Sequence, residues 1–242
     1  LIKGWDWSQD TQDAWEARIR GSYGARTASM RQELDAIPAE AEGAALSRVQ
    51  IEACMADIDV FRRWTCKDDF RDAPEHVRKA DALDWCEAHL KPLLARMDAG
   101  KRHVMGEDFA RSGDATDIVI FEIGADLVRR KVLLVELRNV PFDQQRDVLF
   151  YVCDRVPRFS KGAMDKGGNG AYLAEKAVQR YGEKIVEVSF SRDWYQTEMP
   201  AYIEAFSDGT VILQRHDDVM QDHQALQYVD GVIRVPKDFR FK

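Results

Sequence analysis

The sequence predicts an α/β fold, a mixed sheet flanked by helices and preceded by a helical extension. Three observations carry this expectation. The hydrophobic period changes near residue 100, from helical spacing to alternation. Three extended runs then follow with short connections between them. After these, helical and extended segments alternate to the end of the chain.

The first hundred residues read as helical and charged. Apolar positions recur at helical spacing over 10–20 and stop at Gly21. Ser47 is a suitable N-cap for a helix reaching about residue 58. A longer helix is predicted from Pro74, a favourable first-turn residue, to Met97, with Pro92 as a kink and Gly100 closing it. No constellation in this region suggests chemistry, so residues 1–100 are expected to be an extension or linker and 101–242 the sheet domain.

From residue 101 the predicted strands are 103–108, 116–123 and 131–135, the last two joined by a hairpin-like Gly124-Ala-Asp126. A helix over 141–155 starts at Pro141. Strand 159–165 runs into Lys166-Gly-Gly-Asn-Gly170, and helix 172–181 stops at Gly182. Strand 185–190, helix 195–206, a short strand at 210–213, helix 217–227 and an extended piece at 232–235 complete the chain. A three-strand meander followed by helix, strand, helix, strand, helix is the order of a ribonuclease-H-like sheet.

Composition narrows the class. The chain has 242 residues, 45% of them apolar, enough for one substantial core. No apolar run approaches the ~20 residues of a membrane helix, and the start lacks the apolar stretch of a signal peptide. It also lacks an initiator Met, so the sequence reads as a fragment. The four cysteines, Cys54, Cys66, Cys86 and Cys153, form no CxxC pair. Cys54, Cys86 and Cys153 read as reduced core thiols, consistent with a cytoplasmic setting. A net charge of −7 argues mildly against a surface coated in phosphate-binding cations, without excluding an acidic nuclease site.

Chemistry is expected at two strand ends. Asp108 closes the first sheet strand and Asp165 the fourth. On neighbouring strands their side chains would converge on one rim, where a divalent cation relieves their repulsion. Mg²⁺ and Mn²⁺ favour such hard oxygen ligands. Two such ions, roughly 3.5–4 Å apart, activate a water and stabilise the leaving oxygen of a phosphodiester. Each acid alone reads more simply as a turn residue; it is the pair that points to a site. The small residues after Lys166 leave room for a nucleic-acid backbone.

Glu136, ending the third strand, and Asp117, entering the second, are supporting candidates for the metal site. Asp114 and Asp117 otherwise read as solvated loop acids. Asp217, Asp218 and Asp222 are ordinary first-turn acids of a late helix. Arg111, Arg138, Lys161 and Lys166 lie around the expected rim as weak phosphate contacts. His216 and His223, seven apart, would lie near one another on that helix, with no Cys or His cluster to make a zinc site. Trp194 reads as a packing residue. No P-loop, GxGxxG, G-x-S-x-G or HExxH occurs.

Asp108-Phe-Ala-Arg-Ser-Gly-Asp-Ala-Thr-Asp117, Glu136-Leu-Arg-Asn-Val-Pro-Phe142, Met164-Asp-Lys-Gly-Gly-Asn-Gly-Ala-Tyr-Leu-Ala-Glu175, Trp194-Tyr195 and Met199-Pro200 together resemble the nuclease domain of Mu-like phage terminase large subunits. The segment Asp165–Glu175 is the most specific match. Arg31-Gln-Glu-Leu-Asp-Ala-Ile-Pro38 resembles the stretch that follows the ATPase domain in these proteins.

The resemblance implies an endonuclease that cuts double-stranded phage DNA during packaging. It would use two Mg²⁺ or Mn²⁺ ions held by three acids, and would work with a portal, a small terminase subunit and an ATPase domain absent from this chain. Asp108 matches the first acid and Asp165 the second. The third follows the last strand in the family and is expected beyond Lys242, with Asp218 and Asp222 as disfavoured substitutes. The competing readings are a junction resolvase or integrase core of the same fold, and a non-catalytic domain that grips DNA or docks the portal.

Overall fold

The computed structural model describes residues 8–23, 43–109, 115–167 and 170–236. The chain divides into two compact units, Leu1–Gly43 and Ala44–Lys242. In the first, helix α1 spans Gln9–Tyr23. It carries an Arg20–Glu16 ion pair one turn apart.

The second unit contains the whole sheet, and the boundary expected near residue 100 falls inside it. Ser47 caps α2 (Arg48–Ala53) with a reciprocal capping box to Gln50, as its position suggested. That helix is shorter than expected, because the chain turns into strand β1 (Met55–Ala56) and then β2 (Phe61–Thr65). The long helix expected to Met97 ends at His89 (α3, Glu75–His89), and α4 (Lys91–Leu94) restarts with Pro92 in its first turn. Proline therefore starts a new helix here instead of kinking one. Strand β2 joins the sheet and α3 packs against a later helix, so residues 44–100 belong to the core of the sheet domain.

The remaining elements follow the predicted order closely. They are β3 (Arg102–Asp108), β4 (Thr116–Ile123), β5 (Arg129–Arg138), α5 (Phe142–Arg155), β6 (Phe159–Asp165), α6 (Gly170–Tyr181), β7 (Ile185–Val188), α7 (Arg192–Ser207), β8 (Val211–Gln214), α8 (Asp217–Gln224), β9 (Gln227–Val229) and β10 (Val232–Arg234). The last two form a separate hairpin.

The eight-stranded sheet runs β1-β8-β5-β4-β3-β6-β7, with β2 also pairing β5. Strand β4 is antiparallel to β3 and β5, while β6 lies parallel to β3 and β7 parallel to β6. The five strands β5-β4-β3-β6-β7 thus reproduce the ribonuclease-H-like order, with helices as the parallel crossovers. Alternation divides the side chains between two cores. Ile118, Ile120 and Leu133 enter one core with α3, α5 and α6, whereas Phe121 and Leu134 pack against the other, built on α2, α7 and α8. All four cysteines are buried and free.

Candidate active site

Strand register builds an acidic rim. Asp108 on β3 pairs with Asp117 on β4, and Asp117 pairs in turn with Glu136 on β5. Glu107 pairs with Met164 across the parallel β3–β6 ladder, so Asp108 and Asp165 are the next residues along adjacent strands. Because side-chain direction alternates with a period of two, Asp108, Asp165, Asp117 and Glu136 all share one face at one end of the sheet. The fold thus brings four sequence-predicted acids onto a common rim.

Asp165 is held in place by its own backbone. Its Oδ1 accepts the Gly167 N–H at 2.8 Å, and the Lys166 N–H donates to Val188 O at 2.9 Å. The glycines here serve the acid directly. A Cβ at Gly170 would lie 2.7 Å from the Asp165 carbonyl oxygen, and one at Gly167 would lie 3.1 Å from Asp165 Oδ1. Gly167 and Gly170, among the small residues expected to admit a nucleic-acid backbone, have this local reason to be small.

The acids differ in their surroundings. Asp108 is exposed and Asp165 half-buried. Burial pushes Asp117 up to about 7, with Glu136 and Asp108 adding to the effect. Burial also raises Glu136, but hydrogen bonds from Arg63 and Arg138 outweigh it and hold the carboxylate below its usual range. Arg63 grips Glu136 with Nε at 2.6 Å and Nη2 at 3.0 Å, and Arg138 closes on the same oxygen. Glu136 is therefore committed to two guanidinium groups.

Residues from other elements complete the rim. Asp222 on α8 is pushed by burial, and by Asp218, up to about 6. Lys131, 7% exposed, is drawn by burial down to about 8, against the pull of Asp117 and Asp222. Tyr195 on α7 lies where burial, and then the charges of Asp108 and Asp165, raise its phenol. It forms an aromatic group with Trp194 and Phe190, at centroid distances of 5.2 and 6.1 Å.

Other expectations resolve differently. Lys166 is exposed beside the rim, but the Lys161 ammonium donates to Glu183 O at 2.6 Å. Arg111 and Asp114 lie outside the described residues. His216 and His223 do not share a helix face. His216 precedes α8 as its cap, with Nδ1 accepting the Asp218 N–H, whereas His223 is paired with the Tyr202 hydroxyl at 2.7 Å.

The sequence reading missed Arg63, Lys131 and Glu107. Glu107 is 5% exposed, and among the described residues neither carboxylate oxygen has a hydrogen-bond partner. Burial, with Asp108 and Asp165 nearby, pushes it up to about 8. Both Glu107 and Lys131 occupy inward positions of alternating strands, a signal present in the sequence. Arg63 carried none, because its partner is distant along the chain.

Asp108 and Asp165 offer the hard oxygen donors that a divalent cation of the magnesium type prefers. Among the described residues, no three His, Cys, Asp or Glu side chains gather closely enough to hold a metal ion. The pair fits part of a coordination shell. No helix among these residues is long and apolar enough to cross a membrane.

The strand order and the carboxylate rim define a ribonuclease-H-like α/β domain with an acidic strand-end site. No protein-family model matches the sequence. The chain is 38% identical over 236 residues to "Probable terminase, large subunit gp28" of Escherichia phage Mu, covering 96% of this chain and 42% of that protein. It is 29% identical over 232 residues to "Mu-like prophage FluMu protein gp28" of Haemophilus influenzae, covering 96% of this chain and 46% of that protein. The chain therefore spans less than half the length of the curated relatives it matches, and over that span it is similar to Mu-like terminase large subunits.

Among solved structures, the large terminase nuclease of thermophilic phage G20c aligns with a TM-score of 0.49 at 13% identity, covering 59% of this chain and 76% of that one. The HK97 bacteriophage large terminase aligns at 0.47 and 11% identity, covering 76% of this chain and 36% of that one.

Proposed function

We propose that this domain is the metal-dependent endonuclease of a packaging terminase, cutting double-stranded phage DNA in the cytoplasm of the host cell. The observation that carries the reading is the convergence of Asp108 and Asp165 on adjacent parallel strand ends, facing one way. The relatives' names support the setting, and the strand order supports the chemistry.

In this reading Asp108 and Asp165 hold Mg²⁺ or Mn²⁺, two ions in all. The ions would polarise the scissile phosphate and the attacking water. The Gly167 N–H fixes the orientation of the Asp165 carboxylate, and Tyr195 lies close enough to feel the charge of both acids. Lys166, exposed at the rim, contacts DNA phosphate. Glu136 and Asp117 stay outside the metal shell. The first is neutralised by its arginines, and the second belongs with Lys131 and Asp222. Portal, small subunit and ATPase domain act as partners of the full protein.

The alternative is a non-catalytic domain that grips DNA or docks the portal. It draws on the absence of a three-ligand group among the described residues. Cleavage of supercoiled plasmid by the full-length protein, with Mn²⁺ or Mg²⁺, separates the two readings. The nuclease reading expects cleavage that Asp165→Asn abolishes. A folded full-length protein that leaves plasmid intact with either metal would favour the alternative.

A further inference from the structure

The opposite face of the sheet carries a second feature. In the β2–β5 ladder Arg63 and Glu136 point to the acidic rim, and the next pair, Trp64 and Leu137, points the other way. There a surface hollow of about 540 Å³ opens between the end of β2, the turn after it and α3. Its walls include the rings of Trp64, Phe70 and Trp85 and the carboxylates of Asp69, Asp81 and Asp84.

The aromatic walls are built by packing. Trp64 and Trp85 stack at 5.4 Å with 16° between their planes, and Phe70 meets Trp64 edge-on at 5.7 Å. All three rings are only half-buried. The carboxylates are exposed and, among the described residues, none has an ion-pair or hydrogen-bond partner for its side chain. One basic side chain, Lys67, shares the hollow and is likewise unpaired, leaving three negative charges against one positive.

Half-buried aromatic rings beside unneutralised carboxylates are the chemistry that recognises an organic cation. A guanidinium suits it better than an ammonium. It is planar, stacks on indole, forks onto a carboxylate and is more weakly hydrated. The same charges repel phosphate, so a nucleic acid is a poor occupant. A purely apolar ligand would leave the carboxylates unused. The volume exceeds one side chain and accommodates the residue together with its flanking backbone.

We propose that this hollow is a docking site for an arginine side chain presented by a partner protein. Its face of the sheet is not that of Asp108 and Asp165, so occupation leaves the acidic rim open. The inference stands whether or not the rim cuts DNA.

The test is a titration followed by ¹⁵N-indole resonances, with Trp64→Phe and Trp85→Phe identifying the two signals. The probe is acetyl-Gly-Arg-Gly-amide, compared with its citrulline and lysine counterparts. The arginine peptide is expected to move the Trp64 and Trp85 signals saturably and the citrulline peptide to leave them still. The double variant Asp81→Asn/Asp84→Asn should bind about tenfold more weakly. Its exposed positions leave the fold intact, which the same spectrum verifies. Unmoved signals, equal response to citrulline, or undiminished binding by the double variant would overturn the proposal. So would a short DNA duplex moving the same two signals in place of the peptide.

Discussion

Arg63 of β2 holds Glu136 of β5 through two bonds, at 2.6 and 3.0 Å, across a separation of 73 residues. The Glu136 side chain is 10% exposed and that of Arg63 40%. Arg63 also reaches Asp218 at 3.3 Å, which ties α8 to the end of the sheet. A rim acid that looked available for metal is thus part of the clamp that fixes β2 to β5.

This makes Glu136 separable from the proposed chemistry. Arg63→Ala should cost about 1–2 kcal/mol, because Arg138 still partly compensates the buried carboxylate and Arg63 is substantially exposed. Urea denaturation measures the loss. Glu136→Gln should lower stability while leaving metal-dependent cleavage per folded molecule within about threefold of the parent. Abolished cleavage in a fully folded Glu136→Gln protein would return Glu136 to the metal site.

The glycines after Asp165 give a graded pair. Gly170→Ala forces a methyl within 2.7 Å of a backbone oxygen, which cannot swing aside. It should cost about 1–3 kcal/mol in a denaturant titration. Gly167→Ala presses on the Asp165 carboxylate at 3.1 and 3.2 Å, a group that can rotate. It should therefore reduce cleavage more than stability. Equal melting temperatures for Gly170→Ala and the parent would contradict this packing.

His223 predicts an acid limb of the stability curve. Burial draws its ring down to about 4, against the bond to Val219 O and with a smaller contribution from the charge of Lys131. In the unfolded chain the ring titrates near 6.5, give or take about one unit. The folded value is the lower one, so the unfolded state binds the extra proton. The contribution is complete above about pH 6.5 and is lost as pH falls toward about 4, a change on the order of 3 kcal/mol. Unfolding free energies across that window should show this slope, and His223→Gln, which cannot titrate there, should flatten it. An unchanged slope in the variant would place the acid sensitivity elsewhere.

How much of this was legible in the sequence follows from the range of each interaction. The run Thr116–Ile123 alternates buried and half-buried residues without a break, so its strand could be read directly. Asp108 and Asp165 close strands whose ends were legible from turn chemistry. Strand β2 was not, because Phe-Arg-Arg-Trp-Thr is short and polar, and the strand it pairs with lies more than seventy residues later. The same separation hides from the sequence that residues 44–100 share a compact unit with the sheet. Glu136 was located correctly, but its role depended on Arg63, which local pattern does not reveal. Glu107 and Lys131 were readable as polar residues at inward strand positions. Pro92 was ambiguous by its nature, since a kink and a fresh helix start share one sequence signal.

The most direct test is calorimetric titration of Mn²⁺ into the full-length protein and into Asp108→Asn, Asp165→Asn and Glu136→Gln. Each Asn variant removes one charged oxygen ligand and should bind at least about tenfold more weakly. Glu136→Gln should bind like the parent. Undiminished binding by both Asn variants would contradict the assignment of Asp108 and Asp165 as the metal-holding pair.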